Sequence, residues 1–552
     1  MDEWLEYRPN FFPYHWTEED KKFLQPFFTN INEIASVIHN LPPEIVGALC
    51  SRASRASKSL LEVFLDEYIY PIVNGEDKIL ANELKYTIQF LLEHGFQKIL
   101  NNQRAQSFYI KWLAQYGDDS IAQMTGTHFV FWGISQVAIK FIEDQRIGLE
   151  PIEKSTRYVN FSQKINDKFL YYIPQPDLEK MNLLDEYKTY LDNLFKTYIK
   201  LQPLLLLWLK QNFNEKDSIL EKKSFDVLRG LLPMATVSQL ALRGNAQAFE
   251  YLVNRTIKHN LGELRWVGNI LKQELNKEIP SLLLRVEEQP AQQYQQYLAQ
   301  RTNNVKKAIA NLNINLLSED SNDDVKLVEY DEDAEDKIIT AILFETTNND
   351  WKSIYQKVKK LNNQDKKQIL MSYFNGRTER WQKVGRALEN SYLRFEIVTN
   401  IGAYRDLHRH RMMTQQRQLF SIDLGYYLPP EIKAANLSND FESVLNQAAE
   451  LFLKIKKYDE FLAQYVVPLA YKIRFYQFQN FRELFWESEL RTSSQGHPDY
   501  RKIEQKKYLL IKEKFPLIAS LIKVDLNDYD ISRRGTEEKI KAKEEMLLKK
   551  LK

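Results

Sequence analysis

Between Tyr404 and Met413 the chain reads Tyr-Arg-Asp-Leu-His-Arg-His-Arg-Met-Met, so residues 405–411 hold three arginines and two of its eight histidines. Such a density of cationic donors suits an anion. A guanidinium offers a planar fork matched to phosphate or carboxylate, and each charge-assisted bond is worth about 1.5–3 kcal/mol. A second segment of this kind, Glu153-Lys-Ser155-Thr156-Arg157-Tyr158, lies far upstream. There a hydroxyl donates beside an arginine, and Glu153 is placed to orient Arg157 or to accept from a nucleobase N–H. Each segment also has a plainer reading. A surface Glu–Arg pair is worth under about 1 kcal/mol, and cations at a helix C-terminus gain roughly 0.3–1 kcal/mol each. The helix-end effect covers one or two charges, not His408 to Arg411 followed by Thr414-Gln-Gln-Arg417. No metal centre is expected. His408 and His410 stand two apart and face different sides of a helix, and no cysteine set completes a site.

The elements that must position these residues recur. Ile134 to Glu143 carries apolar residues at helical spacing, with Gly148 and Pro151 to stop it, so Ser155 and Arg157 are expected just past a helix end. Ile401 to Met413 reads as the matching helix, ending in Arg409-His410-Arg411. A strand-like run precedes each helix, at Thr127–Trp132 and Tyr392–Val398. Downstream, Pro233 is followed twelve residues later by Asn245, and Pro468 twelve residues later by Asn480; His259 and His497 follow in turn. Tandem duplication is the economical explanation. Acidic runs at Ser318–Asp324 and Tyr330–Asp336 read as a solvated linker. The expected division is a first half at 1–317, a linker at 318–336, a second half at 337–532 and a charged helical tail at 533–552.

Composition narrows the class. A chain of 552 residues exceeds one ordinary core. Its net charge of +2 argues against a bulk nucleic-acid binder, so any anion site is local. A single cysteine, Cys50, permits neither an intramolecular disulfide nor a thiolate cluster, and fits a reducing compartment. No apolar run approaches a membrane span, and the acidic start lacks signal-peptide features. A cytoplasmic protein is expected. With 17 glycines and long amphipathic runs, helix should dominate.

Together the two segments resemble the signature of the flavin-dependent thymidylate synthases, which is Arg-His-Arg followed closely by Ser-x-Arg-Tyr. Here it is split. Arg409-His410-Arg411 keeps the first part, but Leu419-Phe-Ser-Ile422 stands in place of the second. Ser155-Thr156-Arg157-Tyr158 keeps the second part, but Asp144-Gln145-Arg146 replaces the first. Cys50-Ser-Arg-Ala-Ser54 resembles the family's early Ala-Arg-x-Ser. Leu228-Arg229-Gly-Leu-Leu-Pro233 resembles its Ala-Arg-x-x-Leu-Pro, where the second half has Gln464 for the arginine. His259 to Arg265 resembles its late His…Glu-Ile-Arg.

The resemblance implies an α+β, helix-rich fold of two diverged copies, each an antiparallel sheet flanked by long helices. It implies reductive methylation of dUMP to dTMP, with methylenetetrahydrofolate as methylene donor and NADPH reducing through FAD. No protein nucleophile is expected. By the same resemblance, Glu153, Ser155, Thr156, Arg157, Arg229 and Arg265 would bind dUMP. Arg409, His410 and Arg411 would hold FAD, with Ser54, Asn245 and Asn480 as lesser contributors. Because the losses are complementary, each half keeps what the other lacks, and a homodimer would mimic the family's tetramer. Two alternatives stay open: a catalytically silent nucleotide-binding relative with a regulatory or scaffolding role, and an RNA-binding helical protein. About thirty extra residues between Arg157 and Arg229 have no assigned role.

Overall fold

The computed structural model describes residues 3–9, 15–95, 102–115, 119–165, 167–312, 314, 324–532, 542–547 and 549. In the first copy, β1 (Ala35–Ile38) precedes α1 (Pro43–Ala53). Next come β2 (Gly126–Ser135), α2 (Gln136–Glu143), β3 (Leu149–Glu153) and a small hairpin of β4 (Lys164–Ile165) and β5 (Lys168–Phe169). Then come α3 (Leu184–Asn212), α4 (Asp217–Leu228), β6 (Val237–Asn245), α5 (Ala246–Thr256) and α6 (Gly262–Leu275). The second copy runs β7 (Val325–Tyr330), α7 (Ala334–Thr346), β8 (Leu393–Asn400), α8 (Ile401–Leu407), β9 (Thr414–Arg417), α9 (Ser438–Lys456), α10 (Glu460–Ala463), β10 (Lys472–Gln479), α11 (Phe481–Arg491) and α12 (Pro498–Lys514).

Each copy builds a four-stranded antiparallel sheet, ordered β1-β2-β6-β3 in one and β7-β8-β10-β9 in the other. Matched strand for strand, the two orders are identical, as the duplication requires. The same caps recur. Ser135 starts α2 by accepting from the Ala138 N–H, and Asn400 starts α8 by accepting from Ala403. Asn245 and Asn480 cap α5 and α11 in the same way. Both α2 and α8 caps then reach an acid near the start of a later helix. The Ser135 hydroxyl donates to Glu263 at 2.5 Å, and the Asn400 amide donates to Asp499 at 2.8 Å.

Three local expectations are corrected. The stretch 318–336 is not a linker throughout, because Val325–Tyr330 forms β7, paired in register with β8, and α7 begins at Ala334. Its Val325 and Leu327 supply strand alternation that the flanking acids mask; 318–323 lie outside the described residues. The helix read as Ile401 to Met413 stops at Leu407, with His408 as its C-cap. Ser155 and Arg157 follow the edge strand β3 rather than a helix end, since α2 stops at Glu143 and the chain turns through Arg146 and Gly148, both at positive φ. A β-carbon on Gly148 would come within 2.7 Å of that of Ala248, so this turn needs glycine on steric as well as dihedral grounds. Of the charged tail, residues 542–547 and 549 are helical and the others lie outside the described residues. Among the described residues no helix is long and apolar enough to cross a membrane.

The compact units are not the two halves. One comprises Met1–Leu205, Leu231–Ser318 and Glu431–Pro468; the other comprises Leu206–Gly230, Glu319–Pro430 and Leu469–Lys552. The copies have exchanged segments. The first unit takes α9 and α10 from the second copy, and its Lys200–Asp440, Lys454–Glu186 and Asn193–Gln447 contacts join α3 to α9. The second unit takes α4 and Arg229 from the first copy.

Candidate functional site

In the first unit the chain leaves β3 beside the end of α1. The Ser155 N–H donates to the Ser54 carbonyl at 2.9 Å, and the Ser155 hydroxyl accepts from the Arg157 N–H at 3.2 Å. The Ser54 hydroxyl donates to the Ser51 carbonyl. Thr156 and Arg157 are buried, and Tyr158 is exposed with the Arg55 guanidinium 5.8 Å from its ring. Lys154 donates to the Ser57 and Lys58 carbonyls at 3.1 Å, and burial draws its pKa down to about 8. Glu153 is buried and pairs with Lys140 at 2.8 Å, which also holds Glu143 at 2.5 Å. A buried lysine bridging two carboxylates ties the β3 end to α2 in a low-dielectric setting. Ser54, Glu153, Ser155, Thr156 and Arg157 are thus brought to one place.

Arg265 belongs to a different cleft, of about 710 Å³, that none of Ser54, Ser155 or Arg157 lines. Its guanidinium donates to the His259 and Asn260 carbonyls and lies 4.8 Å from the centre of the Tyr7 ring. Burial, with Arg255 and Arg265 nearby, pushes His259 down to about 3, so it stays neutral at ordinary pH. Asn245 lines a third cleft of about 780 Å³ with Gln145, Tyr251 and Arg285, its side-chain oxygen committed to the α5 cap.

In the second unit Arg409, His410 and Arg411 form the turn between α8 and edge strand β9. Arg409 is exposed and Arg411 partly so, whereas His410 is buried. Its ring sits between Glu483, 3.0 Å from Nδ1, and Arg491, whose Nε donates to Nε2 at 2.9 Å. With Arg491 donating to Nε2, a ring proton on Nδ1 faces Glu483. Gln415 ties the turn down by donating to the Leu407 and His410 carbonyls. Asn480 caps the helix that carries Glu483 and Arg491. Arg229, delivered by the exchanged α4, is buried and donates from Nη1 to Asp406 at 3.1 Å, while its Nη2 is buried with no hydrogen-bond partner among the described residues. Arg229 therefore stands in the unit of Arg409–Arg411, whereas Ser155 and Arg157 belong to the other unit.

Sequence reasoning missed Asp406, Glu483, Arg491, Lys140 and Lys154. Asp406 sits inside the basic segment and Lys154 inside Glu-Lys-Ser, so both were in view. Glu483 and Arg491 lie on α11, and only the fold brings them to His410. In each copy the two motif parts lie at opposite ends of an edge strand. That strand has five residues in β3 and four in β9, which puts roughly 13–17 Å of extended chain between them.

The model of the family described as thymidylate synthase complementing protein matches residues 74–281 and 326–517. A UPF0159 protein of Chlamydia pneumoniae is 34% identical over 536 residues, covering 94% of this chain and 97% of the relative. One from Chlamydia muridarum is 33% identical over 538 residues, covering 95% and 98%. One from Thermoplasma acidophilum is 28% identical over 473 residues, covering 79% and 92%. One match per copy and two sheets of the same strand order mean that this chain belongs to the thymidylate synthase complementing protein family, as a tandem duplication of its domain.

Proposed function

We propose that this protein is a flavin-dependent thymidylate synthase whose signature is divided between its two copies. The observation that carries the reading is complementary retention. The first unit keeps Ser155-Thr-Arg157, held against Ser54, and the second keeps Arg409-His-Arg411, held by Glu483, Arg491 and Gln415. Neutral decay of a silent relative would not be expected to spare one copy of each part and build a buried support around it.

In this reading Ser155 and Arg157 bind the dUMP phosphate, with Lys154 adding positive charge. Arg409 and Arg411 hold the diphosphate of FAD. Arg229 supports that assignment, because a buried guanidinium nitrogen without an acceptor fits an anion beside it. His410, fixed at both nitrogens, positions the turn rather than moving a proton. Glu153 anchors the end of β3. Bound FAD would pass electrons from NADPH, so that dUMP and methylenetetrahydrofolate give dTMP and tetrahydrofolate; the chain's own residues orient the anions and supply the field. Activity requires both segments, and a homodimer is proposed.

The second reading, a silent relative, draws on Asp144-Gln145 in place of Arg-His and on the committed His410 ring. Flavin titration and dTMP formation separate the two. The enzyme reading expects FAD binding, seen as a shifted flavin absorbance band, and dUMP-dependent NADPH oxidation yielding dTMP. Failure to bind FAD, or flavin binding without dTMP at any dUMP concentration, would overturn it.

A further inference from the structure

Between Arg157 and Arg229 the first copy is about thirty residues longer than the second copy is between Ile422 and Gln464. The extra chain includes hairpin β4–β5 and lengthens α3 relative to its counterpart α9. These elements, with the N-terminal 3-10 turn Glu3–Tyr7, enclose a cleft of about 850 Å³, within the size range of small-molecule sites.

The lining carries five cations, Arg8, Lys164, Lys168, Lys188 and Lys196, against three carboxylates, Glu6, Asp167 and Asp192, and Arg8 is taken up by Glu33. Lys164 and Lys168 come from the hairpin, and Lys188 and Lys196 stand two turns apart on one face of α3. None of the four has a carboxylate partner among the described residues. The carboxylate between them on α3, Asp192, accepts from the Tyr171 hydroxyl at 2.8 Å. Beneath, the Phe169 and Tyr171 rings stack on Phe195, and the Lys164 ammonium lies 4.6 Å from the centre of the Phe169 ring. Unpaired with those carboxylates, the four ammonium groups gain from an added counter-charge.

We propose that this cleft binds a small linear polyanion, a chain of several phosphates or carboxylates laid between the hairpin and α3. Two sources share that chemistry: the polyphosphate of a nucleotide and the oligoglutamate tail of a folate. None of Ser155, Arg157, Arg409 or Arg411 lines this cleft, and the proposal does not depend on the reaction assigned to them.

The test is equilibrium binding to the full-length protein by calorimetry, with inorganic tripolyphosphate, ATP and pteroyl-triglutamate as probes. At least one probe should bind with a dissociation constant below about 1 mM, weaken from low salt to roughly 0.15 M salt, and compete with the others. Lys188→Gln/Lys196→Gln should weaken that binding by at least about tenfold, while the control Lys352→Gln/Lys360→Gln leaves it unchanged. ATP exceeding tripolyphosphate supports the nucleotide source, and triglutamate exceeding ATP supports the folate source. Absence of binding by all three probes, equal weakening in both double variants, or displacement of every probe by a single-stranded oligonucleotide at far lower concentration would each overturn the proposal.

Discussion

Arg157 and Arg411 are the same side chain in different surroundings. Arg157 is buried after an edge strand with Lys154 three residues before it, and Arg411 is partly exposed in a turn braced by a histidine. If the first meets the dUMP phosphate and the second FAD, Arg157→Ala should lose roughly ten- to a hundredfold in dUMP affinity, the equivalent of about 1.5–3 kcal/mol. It should keep FAD. Arg411→Ala should do the reverse, and calorimetry with each ligand reads both; equal losses for both ligands in either variant would refute the division. Lys154 adds a pH signature. Burial draws its pKa down to about 8, so its positive charge is present below that value and lost above it. Binding of dUMP should therefore weaken between about pH 7 and about pH 9, and Lys154→Met should remove that trend. A wild-type affinity flat across the window would exclude Lys154 from the site.

At the scale of elements, the two copies share a join in which a helix cap is bonded to an acid of a later helix. In the first unit that acid is Glu263, fully buried at the start of α6. It accepts from the Ser135 N–H at 2.7 Å, the Ser135 hydroxyl and the Tyr465 hydroxyl at 2.8 Å. Burial outweighs these donors and lifts its pKa from 4.5 to about 7. The folded carboxyl thus holds its proton more tightly than the unfolded one. Its contribution is fully present below about pH 4.5 and is lost as pH rises through about 7, a change of roughly 3 kcal/mol. Urea unfolding at several pH values should show that slope in the wild type and not in Glu263→Gln; matching slopes would disprove the assignment. In the second unit Asn400 both caps α8 and donates to Asp499, whereas the Asn480 contacts run only to its own cap. Replacing Asn480 by Ala should cost about 1 kcal/mol, and replacing Asn400 by Ala should cost more, since Asp499 loses a buried donor. Thermal melts of the two variants make the comparison, and an equal or reversed order would contradict it.

For the whole molecule, the exchange of segments has the largest consequence. The first unit contains Glu431–Pro468 from the second copy, and the second contains Leu206–Gly230 from the first. Tyr465 bonds Glu263 and Arg229 bonds Asp406, so each unit buries polar groups that need a partner from the other copy. Residues 1–317 or 324–552 expressed alone should fail to unfold cooperatively, and mixing the two fragments should restore a cooperative melt. A sharp transition from either fragment by itself would contradict this account. The fragments also bear on function, because each retains only one part of the split signature.

Much of this was legible in the chain. Caps, strand-like runs and the Pro-to-Asn spacing are local, so the two copies could be matched residue by residue before any contact was known. Local reading failed where neighbours along the chain mislead. Acids around Val325–Tyr330 hid a strand that is stabilised by pairing with β8, and the donors of 408–411 looked like more helix although the chain turns there to reach β10. The sequence by itself determined the family, the duplication and the complementary loss of motif parts, because those depend on residue identity and order. Only the tertiary structure decided that Arg229 serves the unit of Arg409–Arg411, that Glu483 and Arg491 hold His410, and that an edge strand separates the two motif parts of each copy. Those outcomes follow from long-range pairing and segment exchange, whose energies come from surfaces that meet only in the folded chain.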